Sequence, residues 1–278
     1  MANVCVITGG GSGMGLETAR NISKSTILVL TGRTVEKLEK AKAILEAEGH
    51  EVHLIAGDVS IRKDVHEFCL LAAGLGTIKT VIHCAGLSPT MADPEMIIRV
   101  NAVGTKNVNM EFYKYMNDGG VIVDVASSSA YQAPKLLIKH QIYEKAEYEE
   151  DDFIRLLLNE ANLVKDEYNR SGIAYVMSKN FVTWYAQKCA HEYAAKGIRV
   201  VSVSPGLIET GMGTQEAEAK FAQEMIAQTC EHRMGKPEEL GFAIAAIADE
   251  RNGYLSGIDI LIDGGASTGK KFRKSSKK

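Results

Sequence analysis

Short, largely apolar runs recur along this chain, and amphipathic stretches separate them. Val4–Thr8, Thr26–Thr31, Val52–Ala56, Thr80–His83, Val121–Ala126, Ile198–Ser204 and Ile258–Ile262 read as strands. Gly13–Ile22, Val35–Glu48 (stopped by Gly49), the stretch from a Ser60 cap to about Ala73, Pro94–Met116, Val176–Lys196 and Pro237–Ala248 read as helices. Strand alternating with helix demands a parallel sheet with helices on its faces. Strands that are apolar throughout fit burial on both sides. The expected fold is therefore α/β, a doubly wound and mainly parallel seven-stranded sheet, in one domain over residues 1–265.

The rhythm breaks between Tyr131 and Gly172. Apolar patches (Leu136 to Ile138, Phe153-Ile154, Leu156 to Leu158) alternate there with the acidic run Glu149–Asp152. So long a segment without structure of its own is uncommon inside a compact domain. Residues 132–171 are predicted to be a helical insertion after the fifth strand. Leu136, Leu137, Ile142, Phe153, Ile154, Leu157 and Leu158 either pack it onto the domain or form an apolar lid over a bulky substrate. The end of the chain is basic: six of the nine residues Lys270–Lys278 are Lys or Arg. Residues 266–278 read as a solvated, disordered tail, with contact to an acidic surface as the alternative.

The balance of charge narrows the partners. A net charge of −3 gives no reason to expect nucleic acid. No run is long and apolar enough for a membrane span, and Met1–Thr8 lacks the basic start and long apolar stretch of a secretory signal. The five cysteines are widely spaced and form no CxxC pair. That pattern argues against structural zinc and a disulfide framework, and it suits reduced thiols in the cytoplasm.

The loop Thr8-Gly9-Gly10-Gly11-Ser12-Gly13-Met14-Gly15 joins the first strand to the first helix. Glycines there allow a tight turn and let backbone approach a pyrophosphate, and the helix N-terminus supplies N–H donors and a positive dipole end. The chain is expected to bind a dinucleotide. Such sites often carry an acid at the end of the second strand, on the adenosine ribose. Here that strand ends Leu30-Thr31-Gly32-Arg33. A guanidinium can grip a 2′-phosphate in bidentate fashion, so NADP(H) is favoured and NAD(H) stays possible.

Tyr175 and Lys179 stand four residues apart at the predicted start of a long helix, on one face. A close ammonium stabilises a phenolate and fits tyrosine for proton exchange with an alcohol oxygen. Tyr131 and Lys135 repeat the spacing, but Pro134 makes a regular helix through them improbable. Ser127, Ser128 and Ser129 follow the fifth strand, at the strand end where ligands of parallel sheets bind.

Together these pieces resemble the short-chain dehydrogenase/reductase family. The matching residues are Thr8-Gly9 with Gly13 and Gly15, Asp58-Val59, His83-Cys84-Ala85-Gly86, Val100-Asn101, Ser127, Tyr175 with Lys179, Ser204-Pro205-Gly206 and Ile262-Asp263-Gly264-Gly265. The resemblance implies a Rossmann-like fold and a small ketone or alcohol substrate. It makes Tyr175 the acid/base and Ser127 the residue that positions the carbonyl. Lys179 would hold the nicotinamide ribose and lower the tyrosine pKa, and Asn101 would support a proton-relay water. It further implies that Thr8, Gly9, Ser12, Gly13, Met14, Gly15, Ala85 and Gly86 line the cofactor. Asp58 and Val59 would meet adenine, and Pro205, Gly206, Ile208 and Thr210 the nicotinamide. Relatives are commonly homo-oligomers, although the insertion adjoins their usual helical interface.

The chain departs from the family pattern at two points. His83 stands near the usual Asn of an Asn-Ala-Gly motif, and Ser127 and Tyr175 are spaced far wider than usual. The insertion explains the second, and some hydroxysteroid dehydrogenases of the family carry extra residues there. A hydroxysteroid or other bulky ketone is thus the suggested substrate class. The rival reading is a dinucleotide-sensing module without turnover, but a sensor has no need of the Ser/Tyr/Lys set.

Overall fold

The computed structural model describes residues 1–116, 118–133, 136, 138–210 and 220–273. Seven parallel strands form one sheet in the order β3-β2-β1-β4-β5-β6-β7. They are β1 (Asn3–Thr8), β2 (Thr26–Gly32), β3 (Val52–Ala56), β4 (Thr77–His83), β5 (Val121–Val125), β6 (Arg199–Pro205) and β7 (Asp259–Ile262). The order reverses between β1 and β4, which opens a crevice at the strand ends. Helices α1 (Gly13–Asn21), α2 (Val35–Ala47) and α3 (Arg62–Leu75) follow the first three strands. The helix expected over Pro94–Met116 runs as α4 (Pro94–Ile98), a π-helical stretch Arg99–Val103, and α5 (Gly104–Tyr115).

The strands split their side chains between two cores. Val4, Val6, Val29, Val81, Ile122 and Val200 pack on the side of α3 and α5. Cys5, Ile7, Leu28, Leu30, Val123 and Val201 pack on the other. At one level of the first side the apolar character stops. Thr31, Thr8, His83, Asp124, Ser202 and Asp259 are register partners across β2, β1, β4, β5, β6 and β7. The first five are buried. Thr8 and His83 hydrogen-bond at 2.7 Å, and Ser202 donates to Asp259 at 2.6 Å.

The insertion is helical, with α6 (His140–Tyr143), a 3-10 turn Glu144–Glu147 and α7 (Glu150–Ala161). Ile142, Phe153, Ile154 and Leu157 are buried in the main core. Those four pack the insertion onto the domain, the first of the two readings given above. Leu158 is half-buried, Leu136 is exposed, and Leu137 lies outside the described residues, as do Pro134 and Lys135. A buried Lys106 on α5 pairs with Glu150 at the start of α7. With the insertion in place, Gly104–Asn109 of α5 is buried around the whole helix circumference.

The next helix, α8 (Glu167–Glu192), begins well before the expected Val176. Gly172 lies inside it and does not end the insertion. The tail also departs from expectation. Ala266–Arg273 is helical (α11, after α9 at Lys220–Gln228 and α10 at Pro237–Ala248), and residues 274–278 lie outside the described residues. Ser60 does not cap α3: Ile61 holds the cap position, and Ser60 turns its hydroxyl to Asp58.

Candidate active site

The glycine loop is a cradle without room for side chains. Gly9 has φ +67°, and a Cβ there would lie 2.9 Å from the Ala85 nitrogen. A Cβ on Gly15 would lie 2.4 Å from the Gly9 carbonyl oxygen, so helix α1 rests directly on the loop backbone. Ser12 caps α1 with extended backbone and no side-chain hydrogen bond. The N–H groups of the first turn, including that of Met14, are thus not answered by a capping side chain. Thr210 leans over the loop: its Cγ2 would stand 3.2 Å from a Cβ on Gly13. A cradle of bare backbone at a helix N-terminus fits the pyrophosphate of a dinucleotide.

Two neighbouring strand ends form the rim. Arg33 follows β2 with a half-exposed side chain, and its Nη1 lies 3.9 Å from Asp58 Oδ2, just past the end of β3. Asp58 Oδ1 accepts from the Ser60 amide and hydroxyl at 2.9 and 2.7 Å. Val59 is buried, and its carbonyl accepts from Asn107 Nδ2 at 3.0 Å.

The loop after β4 is tied to β1. The Ala85 amide donates to Thr8 Oγ1 at 3.2 Å, and the same hydroxyl bonds His83 Nδ1. Burial, with the Lys179 charge beside it, pushes His83 down to about 3, so its imidazole is neutral. His83 holds the loop in place through Thr8.

Lys179 lies beneath that loop. It is buried, and its Nζ donates to the Val125 carbonyl at 2.9 Å, two residues before Ser127. Burial lowers it to about 8, opposed by Cys84 and Asp124. A Cβ on Gly86 would lie 3.3 Å from Lys179 Nζ and 3.2 Å from Asn101 Oδ1, so these three residues meet at one point. Asn101 sits in the π-helical stretch. Its Oδ1 accepts from the Leu87 amide at 2.8 Å, and its Nδ2 donates to the Leu87 carbonyl at 3.0 Å and to Ser178 Oγ at 3.2 Å. Ser178 Oγ in turn donates to the Tyr175 carbonyl at 2.8 Å. Tyr175 is half-buried one turn before Lys179, two turns inside α8 and not at its start.

Ser127 ends the run after β5 and is 8% exposed, with its Oγ accepting from the Ser129 amide at 3.1 Å. It opens a 3-10 turn, Ser128–Gln132. Pro205 closes β6. The Gly206 amide donates to the Ile262 carbonyl at 2.9 Å, Ile208 forms a bridge with Gly235, and the Thr210 amide donates to the Ile208 carbonyl at 2.7 Å.

The structure brings Ser127, Tyr175, Lys179, Asn101 and Gly86 to one end of the sheet, beside the glycine cradle. It sends Tyr131 elsewhere, to Asp259 of β7. Sequence reading missed Ser178, which links Asn101 to Tyr175, and Asn180, whose Nδ2 donates to the Ala130 carbonyl at 3.1 Å. Asn180 follows Lys179 directly, but nothing in its spacing signals a partner so distant in sequence.

Comparison with known proteins gives a consistent picture. The family model described as short chain dehydrogenase matches residues 3–138, and the one described as Enoyl-(Acyl carrier protein) reductase matches 154–267. Among curated proteins, the short-chain dehydrogenase/reductase bsc3 of Alternaria brassicicola is 28% identical over 271 residues, covering 96% of each chain. The 3beta-hydroxysteroid dehydrogenase 2 of Eggerthella lenta is 25% identical over 279 residues, 94% of each chain. Among solved structures, a short-chain dehydrogenase/reductase from Serratia marcescens superposes with a TM-score of 0.74 at 21% identity, over 95% of this chain and 98% of that one. An actinorhodin polyketide ketoreductase with NADPH reaches 0.75 at 20% identity, over 95% of this chain and 97% of that one.

Proposed function

The chain belongs to the short-chain dehydrogenase/reductase family, and from that premise we propose that it interconverts a ketone and a secondary alcohol with NADP(H). The observation that carries the reading is Lys179. Its ammonium is buried one helical turn from Tyr175 and bonded to the carbonyl two residues before Ser127. A sensing module would have no use for that burial cost. When bound, the nicotinamide dinucleotide supplies or accepts the hydride at the carbonyl carbon.

The remaining roles belong to the chain's own groups. Ser127 donates a hydrogen bond to the substrate oxygen and orients the carbonyl. Tyr175 donates its phenolic proton to that oxygen in reduction and takes one back in oxidation. The Lys179 ammonium stabilises the resulting phenolate and has donor capacity left for the nicotinamide ribose. Asn101 spends its side chain on Leu87 and Ser178, and its carbonyl accepts from Thr105 Oγ1 at 2.7 Å, so a relay water would take the second lone pair of that carbonyl. Thr8, Gly9, Ser12, Gly13, Met14 and Gly15 bind the pyrophosphate, while Asp58 and Val59 meet adenine. Ala85, Gly86, Pro205, Gly206, Ile208 and Thr210 enclose the nicotinamide end.

Arg33 supports NADP(H), and its half-exposed guanidinium is free to turn from a long 3.9 Å pairing to a 2′-phosphate. A bulky apolar ketone, with hydroxysteroids as the model class, is the proposed substrate. Support for it comes from the 3beta-hydroxysteroid dehydrogenase relative and from the exposed Leu136, which follows the Ser127 turn in the sequence. Five free cysteines support a cytoplasmic setting. A homo-oligomer would have to use a face other than the one the insertion covers on α5 and α8.

The test is a panel of steroid, aliphatic and sugar ketones, each with NADPH and with NADH, read at the nicotinamide absorbance. Turnover of steroid ketones with NADPH supports the reading. Tight binding of either cofactor with no turnover of any ketone would favour the sensing module.

A further inference from the structure

The turn that carries Ser127 is held by a hydrogen-bonded chain that begins in the insertion. Tyr143, the last residue of α6, is almost completely buried, at 1% exposure. Burial raises its phenol far above the ordinary range, so it remains a donor at any working pH. Its hydroxyl donates to Asn180 Oδ1 at 3.0 Å, with the Met177 carbonyl a more distant alternative at 3.4 Å. Asn180 Nδ2 then donates to the Ala130 carbonyl at 3.1 Å, inside the 3-10 turn that starts at Ser128.

The amide orientation is not arbitrary. The Ala130 carbonyl can only accept, so the NH₂ of Asn180 must face it, and the amide oxygen is left for the Tyr143 hydroxyl. The Ala130 amide closes the turn by donating to the Ser127 carbonyl at 2.9 Å. Asn180 also sits next to Lys179, so the same helical segment fixes the lysine and the turn.

We propose that Tyr143 and Asn180 are positioning residues for Ser127, through which the insertion sets the geometry of the reaction centre. This rests on the role of Ser127 given above. The insertion then contributes to catalysis as well as covering core. Tyr143 fixes the amide of Asn180, Asn180 fixes the Ala130 carbonyl, and the turn delivers Ser127 Oγ to the substrate oxygen. Small errors in such placement are expensive, on the order of 10²-fold for about 1 Å.

Tyr143→Phe is the main test, because it keeps the ring edge-on against Phe181 (centroids 5.4 Å apart, 88° between planes) and deletes only the hydroxyl. Asn180→Asp is the second variant: it keeps the acceptor for Tyr143 and turns a carboxylate oxygen toward the Ala130 carbonyl. The readouts are kcat and KM for ketone reduction, the NADPH dissociation constant and the thermal midpoint. The expected result is a fall in kcat of about fivefold or more in each variant, with NADPH affinity unchanged. The double variant should fall no further than Asn180→Asp alone, because the two act as one unit. In a Ser127→Ala background, Tyr143→Phe should have no added effect. An unchanged kcat in Tyr143→Phe, or the same proportional loss with and without Ser127, overturns the proposal while leaving Ser127's role standing. Full activity in Ser127→Ala alone would overturn that role, and this inference with it.

Discussion

Tyr131 donates its phenolic hydrogen to Asp259 Oδ2 at 2.6 Å, tying the turn after β5 to β7. The same phenol is raised above its ordinary range, by burial first and then by the Asp259 carboxylate. A tyrosine so engaged is a poor acid/base at neutral pH, although its sequence spacing to Lys135 copies that of Tyr175 and Lys179. Tyr131→Phe is expected to keep turnover within about threefold and to lose on the order of 1 kcal/mol of stability. Tyr175→Phe is expected to lose at least ~10²-fold in turnover. Steady-state kinetics on the two variants decides, and a dead Tyr131→Phe would reverse the assignment.

Arg33 and Asp58 give a second prediction. NADPH is expected to bind more tightly than NADH, and Arg33→Ala to narrow the gap by about 1–3 kcal/mol. Because the guanidinium is half-exposed, the gap should also shrink as salt is added. Asp58→Asn removes a carboxylate 3.9 Å from Arg33 and should widen the preference. Dissociation constants from cofactor fluorescence test all three, and equal constants in the unmutated protein sink the NADP(H) assignment.

Gly15 tolerates no side chain, since a Cβ would sit 2.4 Å from the Gly9 carbonyl oxygen. Gly15→Ala must push α1 off the loop. The expectation is lost dinucleotide binding and a destabilisation of about 1–3 kcal/mol, the usual scale of overpacking. Calorimetric titration and thermal melting would measure the two effects.

Asp124 predicts a dependence of stability on pH. Burial raises its carboxyl to about 7, against the hydrogen bonds from Asn109 that favour the charged form. Between about pH 4 and 7 the native state therefore holds a proton that the unfolded chain has released. This group's contribution makes stability fall as pH rises through that window. Asp124→Asn keeps an acceptor for Asn109 and should flatten the slope. Urea denaturation at pH 4.5 and 7.0 compares them, and identical slopes would mean that Asp124 is charged throughout.

Hydrogen exchange tests the insertion. Phe153, Ile154 and Leu157 are buried, so amides of α7 should be strongly protected without any ligand. Adding cofactor and ketone should then change the protection of α7 little. Ligand-dependent protection across α7 would favour the lid reading of the insertion.

Much of this was legible in the sequence where local chemistry decides. Val52–Ala56 and Pro237–Ala248 form as read, because β-branched apolar residues and a helix-starting proline leave little choice. The glycine loop was legible for the same reason. The start of α8 was not. Gly172 looks like a boundary, but packing carries the helix through it, with Ser171 Oγ donating to the Ala92 carbonyl at 3.2 Å. The chain from Tyr143 through Asn180 to Ala130 was hidden as well. Its links span 37 and 50 residues, and neither partner belongs to a motif.

The row from Thr31 to Asp259 works as a waterline drawn across six strands. Its first five members are buried, so the row is a polar seam inside the sheet. Thr8 with His83, Asn109 with Asp124 and Ser202 with Asp259 hold one another by hydrogen bonds fixed before any ligand arrives. That seam is a property of the strands themselves, and redesigning the loops for another substrate would leave it untouched.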